Sequence, residues 1–334
     1  MNPHTEQRNT DSIMETNAAY PLYSIGVDLG GTNTVFALVD TNGNILKCDS
    51  FPTATPSVEE WADKLAAGIL RMTGNIKKEN LSGIGIGAPC ANAVTGCIEA
   101  ATDLPWPSPI PLAVMIESRT GMKTVISNDA NAAAIGEMTY GTAKGMTNFI
   151  VLTLGTGVGA GVVVDGHLLT GRSGFAGELG HVTFPFAADR LCGCGRKGCL
   201  QTVASAKGVV KTAKEMLAES DVASSLRGLG DDELTAKTVS EAANGGDSLA
   251  KAVYDFTGKC LGAAAAEFAA FSDPEAIILF GGVSKAGNLL LAPMKEEFDR
   301  KALHLYSGRV KFMCSTLKDA DAAILGAASL PMMK

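Results

Sequence analysis

Two stretches of this chain repeat one local pattern, and that repetition restricts the fold more than any other feature. YSIGVDLGGTNTVFALVD begins at Tyr23 and FIVLTLGTGVGAGVVVDGHLL at Phe149. Each is an apolar, β-branched run, a glycine-rich turn and a second apolar run, the signature of paired strands. The first continues through Asn42-Gly43 into a weaker third run, and the second turns back at Asp165-Gly166, so each predicts an antiparallel meander. A chain that holds the same unit twice points to a duplicated α/β architecture, two lobes facing each other across a cleft. Its 334 residues also exceed what one core usually organises.

The remaining elements fit around the two meanders. Ser57 with Glu60 predicts the capped start of an amphipathic helix through about Met72, and LSGIGIGAP predicts a buried strand. A long loop spans Pro89 to Pro111, followed by a helix near Leu112 to Thr120 and the strand KTVIS. That strand runs into Asn128-Asp129 and an Ala-rich helix, where an Asp is read most simply as the helix cap. Several helices are expected between about Ala204 and Phe271, then the strand AIILFGG, a helix from Leu289, a strand near Val310 to Met313, and a last helix from Asp319 returning to the first lobe. The expected organisation is a disordered tail over 1–19, a small lobe from 20–127 plus 318–334, and a large lobe over 128–317.

Charge and composition exclude several classes. A formal net charge of −7, with no run of Lys or Arg, argues against nucleic acid as the main partner. No stretch reaches the roughly 18 unbroken apolar residues of a membrane span, and the first residues lack the apolar core of a signal peptide. A cytoplasmic protein with no membrane partner is expected, and in that compartment a cysteine cluster is more often a metal site than a disulfide framework.

Between Gly177 and Gln201 the polar residues fall at metal-ligand spacing. His181, Cys192, Cys194 and Cys199 form the Cys3His set of structural Zn2+, and Gly193, Gly195 and Gly198 let the chain turn tightly round an ion over 181–199. Three thiols that merely cluster, or a disulfide with one spare cysteine, are the alternatives. Glu178, three residues before His181, would be held in place with it.

Two glycine turns suit phosphate. In Asp28-Leu29-Gly30-Gly31-Thr32-Asn33 the adjacent glycines let backbone N–H groups approach phosphate oxygens, Thr32 and Asn33 add donors, and Asp28 could hold Mg2+ through water. Gly155-Thr156-Gly157-Val158-Gly159 is the second, so a polyphosphate could be clamped from both sides. The pattern GxxxxGK(S/T) is absent, and no dinucleotide fingerprint lies at a strand–helix turn. Gly281-Gly282 either lies under an adenine ring or is a packing turn. Asp129, between the two phosphate turns, can accept a proton from a substrate hydroxyl, and Glu178 and His181 suit a polyhydroxylated ligand.

These motifs resemble the ROK sugar kinases, in the superfamily of actin-like ATPases with a ribonuclease H-like fold. The resemblance rests on DLGGTNT at 28–34, NDANAAAIGE at 128–137, LGTGVGAGVVVDGHLLTGRSGFAGELGH at 154–181 and CGCGRKGC at 192–199. It implies ATP phosphates held by Asp28 to Asn33 and by Gly155 to Gly159, with Gly281 and Gly282 near the nucleoside. It implies Asp129 as base toward a sugar 6-hydroxyl, Asn128, Glu178 and His181 on other hydroxyls, and a homodimer. Two positions depart from the family pattern: Gln201 stands where Glu is usual, and Asp103 where Asn is common. Both bear on the sugar rather than on the reaction. The activity expected is ATP-dependent phosphorylation of a hexose, foremost glucose. Kinases for N-acetylmannosamine, N-acetylglucosamine, allose or fructose are the alternatives in the same class, and a sugar-sensing regulator or an inert binding module those outside it.

Overall fold

The computed structural model describes residues 21–100 and 104–333, so the expected tail over 1–19 and Asp103 lie outside the described residues. In chain order the elements are β1 (Tyr23–Leu29), β2 (Asn33–Asp40), β3 (Ile45–Pro52), α1 (Val58–Thr73), β4 (Leu81–Gly87), β5 (Ala91–Asn92), β6 (Cys97–Ile98), α2 (Leu112–Thr120), β7 (Thr124–Ser127) and α3 (Asp129–Tyr140). They continue with β8 (Phe149–Leu154), β9 (Val158–Val164), β10 (His167–Leu168), α4 (Gln201–Ala204), α5 (Ala206–Glu219), α6 (Ala236–Asn244), α7 (Ser248–Ser272), β11 (Ala276–Phe280), α8 (Asn288–Lys301), β12 (Lys311–Cys314) and α9 (Asp319–Ser329). Among the described residues no helix is long and apolar enough to cross a membrane.

Both meanders form as read, and the sheets built on them have one topology. The first is ordered β3-β2-β1-β4-β7 and the second β10-β9-β8-β11-β12. In each, an antiparallel meander is extended by two parallel strands beyond its first strand. The parallel strands need crossovers, which the helices supply while covering the sheet faces. On one face of the first sheet, Trp61, Leu65 and Ile69 of α1 pack with Phe36, Ile84 and Ile116. The main core of the second sheet joins Leu152 and Leu279 to Val209 of α5, Val239 of α6 and Leu261 of α7.

The other faces are held by α3 and α9. The last helix returns to the first sheet, as expected, and lies almost on its backbone: a Cβ at Gly85 would come within 1.9 Å of Ala327 O, and one at Gly26 within 2.2 Å of Ile324 O. Small residues there let the helix axis approach the sheet and bring Ile324 and Ala328 against Ala37 and Val39. Helices α3 and α9 cross at Gly136 and Gly326. Helix α3 also places Ala133 and Ala134 against Phe149, Val151 and Val163, so it packs against the second sheet as well.

Local chemistry accounts for the element ends. Ser57 caps α1, its side chain accepting from Glu60 N at 3.2 Å. At α3 the cap differs from the simple reading: Asn128 Oδ1 accepts from Asn131 N at 2.8 Å, and Asp129 is the first helical residue. Because Asn128 satisfies the helix end, the Asp129 carboxyl is left for another partner. The loop from Pro89 to Pro111 contains the short β5–β6 hairpin, closed by Asn92 Oδ1 accepting from Val94 N at 2.9 Å and by Gly96 at φ 69°.

Candidate active site

The carboxyl ends of the parallel strands in the first sheet lie side by side. Asp28 is in register with Gly87, and Gly87 with Ser127, the residue before Asn128 and Asp129. Two acids far apart in sequence therefore share one sheet edge. Gly87 separates them without a side chain, and a Cβ there would lie 3.9 Å from Asp129 Oδ1. Asp129 is solvent-accessible on the cleft wall. Protein crowded round its carboxyl weakens hydration of the ion, and the Asp28 charge opposes a second negative charge, so its pKa is pushed up to about 6. Burial raises that of Asp28 too. At neutral pH Asp129 is then mainly ionised, yet a stronger base than an ordinary aspartate.

A cavity of about 440 Å³ opens above this edge. Its wall brings together Asn128, Asp129, Gly155, Thr156, Gly157, Gly159, Glu178, Gln201 and Gly281. The second glycine turn forms one side of it. Gly155 N donates to Gly157 O at 3.0 Å, Gly159 N to Thr153 Oγ1 at 3.2 Å, and Ala206 N at the start of α5 to Gly155 O at 2.8 Å. Nothing lies within 4 Å of where a Gly155 Cβ would be, which leaves room beside the backbone for a phosphate group. Glu178 is an exposed part of the same wall. At Gly281 φ is 96°, and a Cβ would meet Leu154 O at 2.8 Å, so the turn after β11 requires glycine.

Not every predicted residue lines this cavity. The first turn is built as expected, Gly30 N donating to Asn33 O at 3.1 Å and Thr53 Oγ1 to Gly30 O at 2.7 Å, but Gly30, Gly31, Thr32 and Asn33 stand outside the wall with Asp28. Gly282 and His181 stand outside it too.

The ligand atoms of His181, Cys192, Cys194 and Cys199 all lie within 4.8 Å of one another. Cys194 and Cys199 Sγ are 3.6 Å apart, and Cys192 Sγ lies 3.7 Å from His181 Nδ1. Thiolates bound tetrahedrally at about 2.3 Å from zinc stand about 3.8 Å apart, so the cluster fits Zn2+. Cys192, Cys194 and Cys199 are thiols, not half-cystines. Backbone and guanidinium N–H groups of Arg196 pull the Cys194 thiol down to about 6, while burial and the neighbouring sulfurs push Cys199 up to about 12. Adjacent thiols resist a second negative charge, and a dication relieves that resistance. The turn is tight, with Cys192 N donating to Arg196 O at 2.8 Å, Gly195 N to Cys192 O at 3.0 Å, and Gly195 and Gly198 at φ 84° and 87°.

Gln201 begins α4, two residues after Cys199, and is half-buried. Its Nε2 donates to Cys192 Sγ at 2.9 Å, and its Oε1 accepts from Val158 N at 3.4 Å. The side chain read as facing a sugar thus spans from the cysteine cluster to the second glycine turn, at the wall of the cavity.

Sequence reasoning missed Pro89, Cys90, Thr153 and Phe280, which also line the cavity. Thr153 had a signal, a polar residue in the apolar run FIVLTL. Cys90 had none, since its left-handed φ of 53° is a conformation that sequence leads one to seek at glycine.

Two sheets of one topology, with a glycine turn and an aspartate meeting in a cleft, define an α/β protein of the actin-like ATPase fold. Residues 24–333 match the ROK family, and the chain belongs to that family. It is 39% identical over 315 residues to a glucokinase of Halalkalibacterium halodurans, covering 90% of this chain and 92% of the relative. It is 30% identical over 312 residues to an N-acetylmannosamine kinase of Escherichia coli, covering 92% and 97%. The crystal structure of a ROK family glucokinase from Streptomyces griseus, in complex with glucose and AMPPNP, superposes with a TM-score of 0.73 at 34% identity, covering 92% of this chain and 98% of that one.

Proposed function

We propose that this protein is an ATP-dependent hexose kinase that phosphorylates the 6-hydroxyl, with glucose as its first substrate. The observation that carries the reading is the single cavity in which Asp129, raised to a pKa of about 6, faces the Gly155–Gly159 turn. Likeness to a glucokinase at 39% identity, and to one bound to glucose and AMPPNP, supports the choice of sugar and nucleotide.

ATP supplies the phosphoryl group and Mg2+ offsets its charge. Backbone groups of Gly155 to Gly159 on one side and of Gly30 to Asn33 on the other would hold the phosphates, with Gly281 and Gly282 beside the nucleoside and Asp28 positioned for the magnesium through water. Asn128 and Glu178 bind sugar hydroxyls and orient the 6-hydroxyl toward Asp129. As the sugar oxygen attacks in line, its proton passes to the Asp129 carboxylate, and the phosphoryl–oxygen bond to ADP breaks. His181 and the three cysteines would hold Zn2+, which fixes the turn bearing Glu178: His181 N donates to Glu178 O at 3.0 Å.

Coupled ADP release, measured with magnesium ATP against a panel of hexoses and N-acetylhexosamines, tests the proposal. Turnover highest on glucose is expected. Highest turnover on N-acetylmannosamine would reassign the sugar, and silence across the panel would overturn the kinase.

A further inference from the structure

Gln201 touches two structures that otherwise have separate roles. Its carboxamide spans the gap with a donor at one end, Nε2 to Cys192 Sγ at 2.9 Å, and an acceptor at the other, Oε1 from Val158 N at 3.4 Å. A carboxamide carries the donor and the acceptor on one planar group, so a single side chain can make both contacts. The backbone is matched to it, since Gly157 has no side chain where a Cβ would lie 3.1 Å from Oε1. Gln201 also faces two cavities, the one that holds Asp129 and a smaller one of about 230 Å³ lined by Thr156, Cys192, Ser205 and Lys207. It therefore forms part of the partition behind the second glycine turn.

Val158 and Gly159 are held in the β8–β9 ladder opposite Leu154 and Thr153, so the freer part of the turn is Gly155 to Gly157. Gly155, Thr156 and Gly157 are exposed, and the turn is tied down by Gly155 N to Gly157 O, Gly159 N to Thr153 Oγ1 and Ala206 N to Gly155 O. Gln201 follows Cys199 by two residues at the start of α4, so the placement of the cysteines sets where its carboxamide reaches. An ion that draws the four ligand atoms together fixes the position of Cys192 Sγ, and with it the acceptor that Nε2 reaches.

We infer that Gln201 is a positioning residue that couples metal occupancy of the Cys3His cluster to the conformation of the Gly155–Gly159 turn, and so to affinity for the nucleotide's phosphates. This rests on the kinase reading above. Glutamate in its place would keep an acceptor for Val158 N, but would lose the donor and set a negative charge against the sulfurs.

The test is calorimetric binding of AMPPNP with Mg2+ to the full chain, without sugar. Wild type, Gln201→Leu and Gln201→Glu are compared, each zinc-loaded and after chelation. In wild type, chelation should weaken nucleotide binding about tenfold, the scale of outer-shell effects at metal sites. Zinc-loaded Q201L should already show that loss, with little added by chelation, and Q201E should resemble Q201L. Additive losses in the cycle would overturn the coupling. The reverse measurement does not require the chelated protein to bind nucleotide: saturating AMPPNP should tighten zinc binding, read by chelator competition, by the same factor in wild type and not in Q201L. Cobalt-loaded Q201L should keep a thiolate–cobalt band, shifted from that of wild type, which shows an intact knuckle. Nucleotide binding indifferent to metal in wild type overturns this inference alone. The titration is repeated with saturating glucose, and no AMPPNP binding by zinc-loaded wild type either with or without glucose overturns the kinase reading as well.

Discussion

In the proposed reaction Asp129 has to meet two demands at one position, to be reachable by a substrate hydroxyl and basic enough to take its proton. Asn128 makes this possible by capping α3, so the aspartate is not consumed by the helix end. Asp129→Asn should lower kcat about 10³-fold, within the range for loss of a general base, while sugar affinity by calorimetry stays near wild type. Full activity in that variant would remove Asp129 from the mechanism. A raised pKa means that Asp129 takes up its proton as pH falls through about 6, and the protonated acid cannot accept another. The rate per encounter, kcat/KM, should therefore fall on the acid side with a midpoint near pH 6 and level off above it. A midpoint near 4 would show that Asp28 and the crowded floor of the cleft do not act on it. The sequence marks Asp129 as a candidate through the motif NDANAAAIGE, but its charge environment depends on Asp28, which only strand register brings alongside.

Among elements, the knuckle and the α9–sheet contact differ in how far they could be foreseen. Ligand spacing within one short segment is a local property, so His181, Cys192, Cys194 and Cys199 could be read as a set, and the structure brings their ligand atoms together. Cys194→Ser should lose zinc by metal analysis and weaken sugar binding at least tenfold, because the turn bearing Glu178 is no longer pinned. Lost zinc with unchanged sugar affinity would make the knuckle a structural element only. The α9 contact depends on Gly26 and Gly85, which in sequence look like ordinary weak points of strands. Gly85→Ala would set a methyl group against Ala327 O and should cost about 3 kcal/mol in urea unfolding, at the upper end for overpacking. Gly282→Ala, with nothing within 4 Å, should change stability by less than about 0.5 kcal/mol and serves as the control.

For the whole molecule, the two sheets of equal topology meet where α3, packed on the second sheet, crosses α9, packed on the first, and α3 carries Asp129 at its first residue. In the proposed reaction, closure pivoting there would cover the bound sugar and exclude the water that would otherwise take the phosphoryl group. Saturating glucose should reduce the radius of gyration in small-angle scattering for wild type and Asp129→Asn alike, since closure follows binding rather than chemistry. An unchanged radius would mean that the cleft is already in its working form. The meanders, glycine turns, the capped start of α1 and the Cys3His set were decided within short windows of sequence, by side-chain alternation, backbone freedom and ligand spacing, and they appear where the residues place them. Tertiary structure alone decided the pairing of Asp28 with Asp129, the close seat of α9 on β1 and β4, the entry of Cys90 into the cavity wall, and the reach of Gln201 from Cys192 to Val158. Each of these depends on residues distant in the chain whose separation is set by strand register and helix packing, and no local pattern in the amino-acid order encodes that distance.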